Sequence, residues 1–236
     1  MKQIQVLGVS LKDYTVREAM RQTDHFLKNT SVNTIAYITT RGLMAAEHSQ
    51  ERKDFLSKMD MTVAADSDIL RAAKAAGRNR VREIDNDEFL TEFLKKLIRG
   101  KKSVYLITGT QEQMKLLEEV LRSYQVNLRI VGSCCLDTLQ QDEDYLVNEM
   151  NVLLPNVIIS NIPSPQRETF FEANHMKMNA NIWLMLKDEV VHAKHDNNPF
   201  RRLTDTIVKK LFRHQVVKYE NQEKEEQERE QQEDKE

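Results

Sequence analysis

Thr62-Val-Ala-Ala-Asp-Ser-Asp-Ile-Leu70 runs from an apolar strand pattern directly into two acids, Asp66 and Asp68. A helical pattern follows from Ile69 to Ala76. Ligands of α/β proteins bind at the carboxyl ends of strands, so a carboxylate at this position is a candidate general base. Either acid could instead cap the helix that follows it.

The alternation of strand and helix patterns continues on both sides of this stretch. Apolar runs of strand length occur at 3–9, 33–38, 103–108, 128–131, 156–160 and 180–186. Between them lie helical patterns at 16–28, 41–48, 85–98, 111–124, 142–154 and 166–178. The pattern predicts an α/β fold with a Rossmann-like, mostly parallel sheet, helices on both faces and a C-terminal helical appendage.

Length and charge divide the chain into three parts. The 236 residues, 40% of them hydrophobic, suffice for one α/β domain and a short appendage. The net charge of −2 combines an acidic end, with nine acids against three bases from residue 219, and a remainder of net charge +4. We therefore predict an α/β domain at 1–190, a basic amphipathic appendage at 191–218 and an acidic disordered tail at 219–236.

Composition also indicates the compartment. No apolar run approaches the ~20 residues that span a bilayer, and the N-terminus alternates polar and apolar residues instead of forming a signal peptide. We therefore expect a cytoplasmic protein. Cys134 and Cys135 are adjacent and have no partner cysteines at metal-ligand spacing, which fits buried thiols in a reducing compartment or a redox pair.

The turn Ile107-Thr-Gly-Thr-Gln111 is the plainest anion-binding pattern in the chain. Gly109, two hydroxyls and the start of the next helix offer donors to a phosphate. The turn contains neither a GxGxxG nor a GxxxxGK[ST] motif, so a purely structural strand-to-helix turn remains the alternative.

Several motifs resemble those of the WecG/TagA/CpsF glycosyltransferases, also called glycosyltransferase family 26. The resemblance covers roughly residues 33–186, with a looser match to about His214. Ala65-Asp-Ser-Asp68 resembles the family's Pro-Asp-Gly motif, and Arg80-Val-Arg-Glu-Ile-Asp85 resembles its Arg-Val-x-Gly-x-Asp turn. Asn161-Ile-Pro-Ser-Pro-Gln-Arg-Glu168 is similar to its Gly-x-Pro-x-Gln-Glu segment, with Gln166 kept and the spacing shifted by about one residue.

Other positions depart from the family pattern. Thr39 stands where an asparagine is usual, Gly109 keeps one glycine of a Gly-Gly turn, and Glu83 occupies a glycine position. Lys187-Asp-Glu189 replaces a glycine-rich turn. Since glycine allows a close approach of the backbone to a ligand, these replacements narrow or redirect the expected pocket.

The resemblance implies transfer of an N-acetylhexosamine from a UDP-sugar to a lipid-diphosphate-linked acceptor, with inversion and without a metal or other cofactor. It implies a carboxylate base, for which Asp66 is the candidate and Asp68 the alternative, and it implies that Arg80 binds the diphosphate. The further expected substrate-binding residues are Thr39, Asp68, Asp85, Gly109 and Gln166. Arg80 could also be a plain surface residue. The spacing of Asp66-Ser-Asp68 would suit a metal ion, although the resemblance points to metal-independent transfer.

Three functions remain open from the sequence. The first is a glycosyltransferase of cell-envelope polysaccharide or teichoic-acid-type synthesis. The second is a catalytically degenerate paralogue that serves as the non-catalytic partner or regulatory subunit of an active enzyme, and the third is an unrelated Rossmann-like binding module. A homo-oligomer or a pair with a paralogous glycosyltransferase is a possible assembly, and we expect no nucleic-acid partner.

The segment after the last strand pattern is basic and amphipathic. Arg201, Arg202, Lys209 and Lys210 are interleaved with apolar residues at spacings of three and four. Such a helix suits an anionic membrane surface, which would place the protein peripherally at the inner face of the cell membrane. A helix docked on the domain with solvated bases is the alternative. The histidines of this region, His192, His195 and His214, lack a metal-binding spacing.

Overall fold

The computed structural model describes residues 2–125, 127–139, 143–187 and 199–233, with only the backbone described at 199–206 and 230–233. The strands are β1 (Lys2–Val6), β2 (Val9–Asp13), β3 (Asn33–Ile38), β4 (Met61–Ala64), β5 (Ser103–Thr108), β6 (Arg129–Cys135), β7 (Val157–Asn161) and β8 (Ile182–Met185). The helices are α1 (Val16–Phe26), α2 (Thr40–Glu47), α3 (Gln50–Ser57), α4 (Ser67–Ala72), α5 (Arg78–Asp85), α6 (Glu88–Arg99), α7 (Gln111–Tyr124), α8 (Glu143–Leu153), α9 (Gln166–Asn174) and α10 (Pro199–Glu233).

A six-stranded sheet with the order β4-β3-β8-β7-β5-β6 forms the centre of the protein. All of its neighbouring strands are parallel. The four middle strands are buried along their whole length, which is why they read as continuous apolar runs instead of alternating patterns. The predicted Rossmann-like α/β fold is confirmed.

Two hydrophobic cores lie on opposite faces of this sheet. Helices α1, α6 and α7 contribute to one core, and α2, α3, α4, α8, α9 and α10 contribute to the other. The helix after β5 therefore packs on one face, whereas the helix after the neighbouring β7 packs on the other. The carboxyl ends of β5 and β7 thus form a switch point, the place where ligands collect in such sheets.

The prediction of one strand at 3–9 was wrong. Residues 2–13 form an antiparallel hairpin, in which Val6 pairs with Val9. Leu7 and Gly8 make the turn, with φ of 52° and 71°. A tight two-residue hairpin turn requires two successive residues in the left-handed region. Because Leu7 is apolar, the sequence pattern shows no break at this turn.

The last helix is longer than the predicted basic appendage. Its backbone continues without a break from residue 199 to residue 233, and so includes most of the segment predicted as an acidic disordered tail. Phe212 is fully buried against the domain. Residues 191–198, predicted to begin the appendage, lie outside the described residues.

The two cysteines carry thiols. Cys135 is buried and Cys134 half-buried, and both are unbridged. Burial, together with the neighbouring Cys135 and Glu149, raises the pKa of Cys134 to about 11. A raised pKa keeps the thiol protonated at neutral pH and so opposes nucleophilic chemistry.

Candidate functional site

A cleft of about 210 Å³ opens beside the carboxyl ends of β3, β7 and β8. It is lined by residues of α2 and α3, by residues at the start of α9, and by Lys187. Typical small-molecule pockets have roughly 300–1,000 Å³, so this cleft suits a diphosphate portion of a ligand better than a complete sugar nucleotide.

The cleft is strongly cationic. Among the described residues that line it, Arg41, Arg52, Arg167 and Lys187 carry positive charges and Glu168 carries a negative one. Guanidinium groups present planar pairs of donors that match phosphate oxygens. The charge and the donors of the cleft are those that a diphosphate needs.

Arg167 and Glu168 form the buried wall of the cleft. Arg167 Nη2 donates to Glu168 Oε1 at 3.1 Å, and the guanidinium lies 5.6 Å from the ring centre of Phe55. Glu168 is only 5% exposed, and its Oε2 has no hydrogen-bond partner within the described residues; the same is true of Ser164 Oγ. Buried polar atoms without partners are rare, so these two atoms are free to contact water or the hydrogen-bonding groups of a ligand in the cleft.

Lys187 is held in place from two sides. Its carbonyl oxygen accepts a hydrogen bond from Asn161 Nδ2 at 2.7 Å, and its Nζ lies 3.6 Å from Asp87 Oδ2. Tyr37 Oη and Tyr124 Oη also donate to Asp87, at 3.4 and 3.3 Å. Burial raises the pKa of Tyr37, as do the charge of Asp87 and the neighbouring Tyr124. The lysine that replaces a family glycine turn therefore adds a cation to the cleft, with a fixed carboxylate behind it.

Thr39, one of the predicted substrate-binding residues, lies in the cleft. It is the N-cap of α2, where its Oγ1 accepts a hydrogen bond from the N–H of Gly42 at 3.0 Å. The hydroxyl thus orients the first turn of α2 beside the cations.

Asp66 connects two neighbouring strand ends. It occupies the N-cap position of α4, yet its side chain makes no capping hydrogen bond there. Instead Asp66 Oδ2 accepts a hydrogen bond from the N–H of Thr40, the first residue of α2, at 2.8 Å. Asp66 is half-buried and is not among the described residues that line the 210 Å³ cleft. Its assignment as the base stays a prediction.

Asp68 faces α10. It is 2% exposed and lies 2.9 Å from Arg213, 3.4 Å from Arg71 and 3.7 Å from Lys209. Burial alone would raise the pKa of this carboxyl, but the hydrogen bond from Arg213 and the three positive charges outweigh burial and lower the pKa. Asp68 thus links α4 to α10. The predicted contact of Asp68 with substrate stays a prediction.

Arg80 is engaged in two internal ion pairs. Its Nη2 lies 2.6 Å from Asp13, and its Nη1 pairs with Glu83, whose Oε2 also accepts from the N–H of Val16. Burial would lower the pKa of Arg80, but the two carboxylates outweigh it and raise the pKa. Arg80 lines a separate cavity of about 20 Å³. Asp85 is the exposed last residue of α5, outside both cavities.

Gly109 and Gln166 meet at the switch point between β5 and β7. A Cβ atom added to Gly109 would lie 3.2 Å from Gln166 Oε1 and 3.0 Å from Pro163 Cδ. A side chain at position 109 would therefore require these neighbours to shift. These two predicted residues lie together, although neither is among the described residues of the 210 Å³ cleft.

The predicted membrane-facing bases lie on α10. Lys209 and Lys210 are exposed, and the side chains of Arg201 and Arg202 are outside the described part of the chain. Ile207 and Leu211 are 48% and 56% exposed. None of the helices in the described ranges combines the length and the apolar character that a membrane-spanning helix needs.

The sequence interpretation missed Arg52, Arg167 and Glu168. Arg52 belongs to an unremarkable polar helix, and no motif marks it. Arg167 and Glu168 could have been found: with Pro165 placed on the proline of Gly-x-Pro-x-Gln-Glu, no gap is needed, and these two residues take the last two positions. When Gln166 is instead aligned with the glutamine of the motif, Arg167 and Glu168 do not both fall on these two positions.

Comparison with known proteins gives a family match that covers the sheet and the cleft. The model of the glycosyl transferase WecG/TagA/CpsF family matches residues 4–187. No curated protein matches the chain significantly. The matched range contains the complete sheet and the described cleft, and it ends at Lys187.

Proposed function

Because this chain belongs to the WecG/TagA/CpsF family of glycosyl transferases, we propose that it transfers an N-acetylhexosamine from a UDP-sugar to a lipid-diphosphate-linked acceptor. The family supports a role in cell-envelope polysaccharide synthesis; teichoic-acid-type synthesis is the alternative setting that we propose. The donor, the acceptor and the stereochemistry are the proposed part.

The observation that carries this proposal is the cationic cleft at the carboxyl ends of the parallel strands. Arg41, Arg52, Arg167 and Lys187 surround a volume that fits a diphosphate. In glycosyl transfer the leaving nucleotide diphosphate gains negative charge as the bond to the sugar breaks. Cations that are already in place stabilise this charge without having to reorganise.

The proposed reaction is a single displacement with inversion. The acceptor hydroxyl oxygen attacks the anomeric carbon of the donor sugar, the bond from that carbon to the phosphate oxygen breaks, and UDP leaves. Asp66 takes the hydroxyl proton, a contribution of about 10²- to 10⁴-fold in rate. Its Oδ2 is fixed by Thr40, so the carboxylate has a defined orientation.

The lipid-linked acceptor implies a position at the membrane. The basic N-terminal half of α10 and its exposed Ile207 and Leu211 support peripheral attachment to an anionic surface, proposed to be the inner face of the cell membrane. Lys209 also pairs with Asp68. The same lysine would therefore contribute to membrane attachment and to the docking of α10 on the α/β domain.

The test is UDP release by the full-length chain. Incubation with UDP-N-acetylhexosamines and a lipid-diphosphate-linked sugar acceptor should release UDP only when both substrates are present. UDP release that does not depend on the acceptor, or no release with any donor, would contradict the proposal.

A second candidate function is that of a non-catalytic partner of an active glycosyltransferase. It is favoured by one observation: Asp66, Arg80 and Gln166 are not among the described residues of the cleft, and Arg80 is neutralised by Asp13 and Glu83. Calorimetry with UDP would distinguish the two functions when combined with the UDP-release assay. Binding without turnover would favour the partner, and turnover would exclude it.

A further inference from the structure

Helix α10 consists of two halves with opposite charge. Residues 199–218 contain six bases and one acid, a net charge of +5, whereas residues 219–233 contain seven acids and two bases, a net charge of −5. The halves join near Tyr219, whose hydroxyl packs close to the hairpin turn at Gly8.

This order of charges opposes the helix dipole. The dipole favours acids at the N-terminus of a helix and bases at the C-terminus, and α10 has the reverse. The pattern therefore does not stabilise the isolated helix. Contacts of the two halves with groups of opposite charge would stabilise the helix instead.

Within the described residues, the domain supports mainly the basic half. Phe212 is fully buried, and Asp68 pairs with Lys209 and Arg213. In the acidic half, Glu220 pairs with Lys74 at 3.2 Å, and the side chains of residues 221–229 are all exposed. A helix segment that is polar and exposed on every side is marginal in water, so a partner of opposite charge would stabilise this half.

We propose that this partner is a second copy of the chain, bound through an antiparallel pairing of the two α10 helices. A charge pattern of +5 followed by −5 is complementary to itself under a two-fold axis. With the axis near Tyr219, Lys210 of each copy lies opposite Glu228 of the other.

The exposed face of α10 fits this arrangement. At 3.6 residues per turn, Lys210, Leu211, Glu225 and Glu228 fall within about 100° on one side of the helix. All four side chains are exposed in the single chain. Exposed ion pairs contribute only about 0.2–1 kcal/mol each, so the dimer is weak and sensitive to salt. The pairing does not involve the cleft, but it covers the face of α10 with Leu211 that membrane attachment would use, so the dimer and the membrane-bound chain exclude one another.

Charge reversal tests the pairing directly. In sedimentation velocity at low salt, the full-length chain should form a dimer whose fraction rises with protein concentration and falls on addition of salt. Lys210→Glu and Glu228→Lys should each be monomeric, because each places like charges opposite one another twice. Lys115→Glu, an equal charge change at an exposed position of α7, is the control and should behave as the wild type.

The decisive sample is an equimolar mixture of the two monomeric variants. In a mixed pair, the glutamate introduced at position 210 of one chain meets the lysine introduced at position 228 of the other. The unchanged Glu228 of the first chain meets the unchanged Lys210 of the second, so both contacts are again attractive and a dimer should form. A mixture that stays monomeric overturns the proposal. So does a wild type that is monomeric at all concentrations, which would leave an anionic membrane or another protein as the partner of α10.

Discussion

Asp66 Oδ2 accepts a hydrogen bond of 2.8 Å from the backbone N–H of Thr40, and so links the loop after β4 to the helix that follows β3. These two strands are neighbours in the sheet. One carboxylate therefore has a structural role at the N-terminus of α2 and a proposed chemical role as the base. Two substitutions separate the two roles.

Asp66→Asn should abolish most of the activity and leave the fold intact. The amide oxygen of asparagine still accepts the hydrogen bond from Thr40, but the amide cannot take a proton. We expect the rate of UDP release to fall by about 10²- to 10⁴-fold, while the midpoint of urea unfolding changes little.

Asp66→Ala should lose the hydrogen bond as well as the base. An unsatisfied N–H at the start of α2 should lower the free energy of unfolding by about 1–2 kcal/mol relative to Asp66→Asn. If Asp66→Asn retains wild-type turnover, Asp66 is not the base.

Gly109→Ala should distort the switch point between β5 and β7. The added Cβ would lie 2.9 Å from Gln113 Oε1 and 3.0 Å from Pro163 Cδ. We expect a loss of about 1–3 kcal/mol in the free energy of unfolding, measured with urea. Gly77→Ala is the matched control, because an added Cβ there has no heavy atom within 4 Å. Equal free energies of unfolding for the two variants would show that the loop at Pro163 can move to accept the Cβ atom without loss of stability.

Asp68→Asn should loosen α10. The substitution keeps the size of the side chain and removes the charge that Arg71, Lys209 and Arg213 share. We expect a loss of about 1–3 kcal/mol in unfolding free energy and faster amide hydrogen exchange in residues 207–219. Asp144→Asn, at an ion-paired but 79% exposed position, should change stability by less than about 0.5 kcal/mol.

The contribution of Asp68 should also depend on pH. Its pKa is lower in the folded chain than the usual value, so its stabilising effect is complete above about pH 4, the range of an unfolded aspartate, and is lost as the pH falls through the folded pKa. The difference in unfolding free energy between wild type and Asp68→Asn should be constant from pH 7 to 5 and shrink at pH 3. A difference that persists unchanged at pH 3 would show that Asp68 acts through packing and not through charge.

The central sheet was predictable because its strands are apolar along their whole length. Val104 to Ile107 and Val157 to Ile159 are buried on both faces, and fully buried parallel strands have to be apolar at every position. The hairpin at the N-terminus was not predictable in this way, since Leu7 at the turn has a side chain that ordinarily marks a strand.

The site was only partly predictable, since residue type does not reveal a partner. Asp68 and Arg80 are the kinds of residue that bind ligands, yet their partners are Arg213 and Asp13, which are 145 and 67 positions away in the chain. Arg52 carries no motif and enters the cleft only because α3 packs beside α2. Thr39 could be predicted because it follows directly on a central strand.

The central claim, that the cationic cleft holds the diphosphate of a sugar nucleotide, is tested most directly by calorimetric titration of UDP into wild type, Arg52→Ala and Arg122→Ala. Arg122 lies on α7 and is 68% exposed, so its loss removes a similar charge away from the cleft. We predict that Arg52→Ala weakens binding about tenfold or more, equivalent to about 1.4 kcal/mol, and that Arg122→Ala binds like the wild type. Equal affinity of all three chains would contradict the claim.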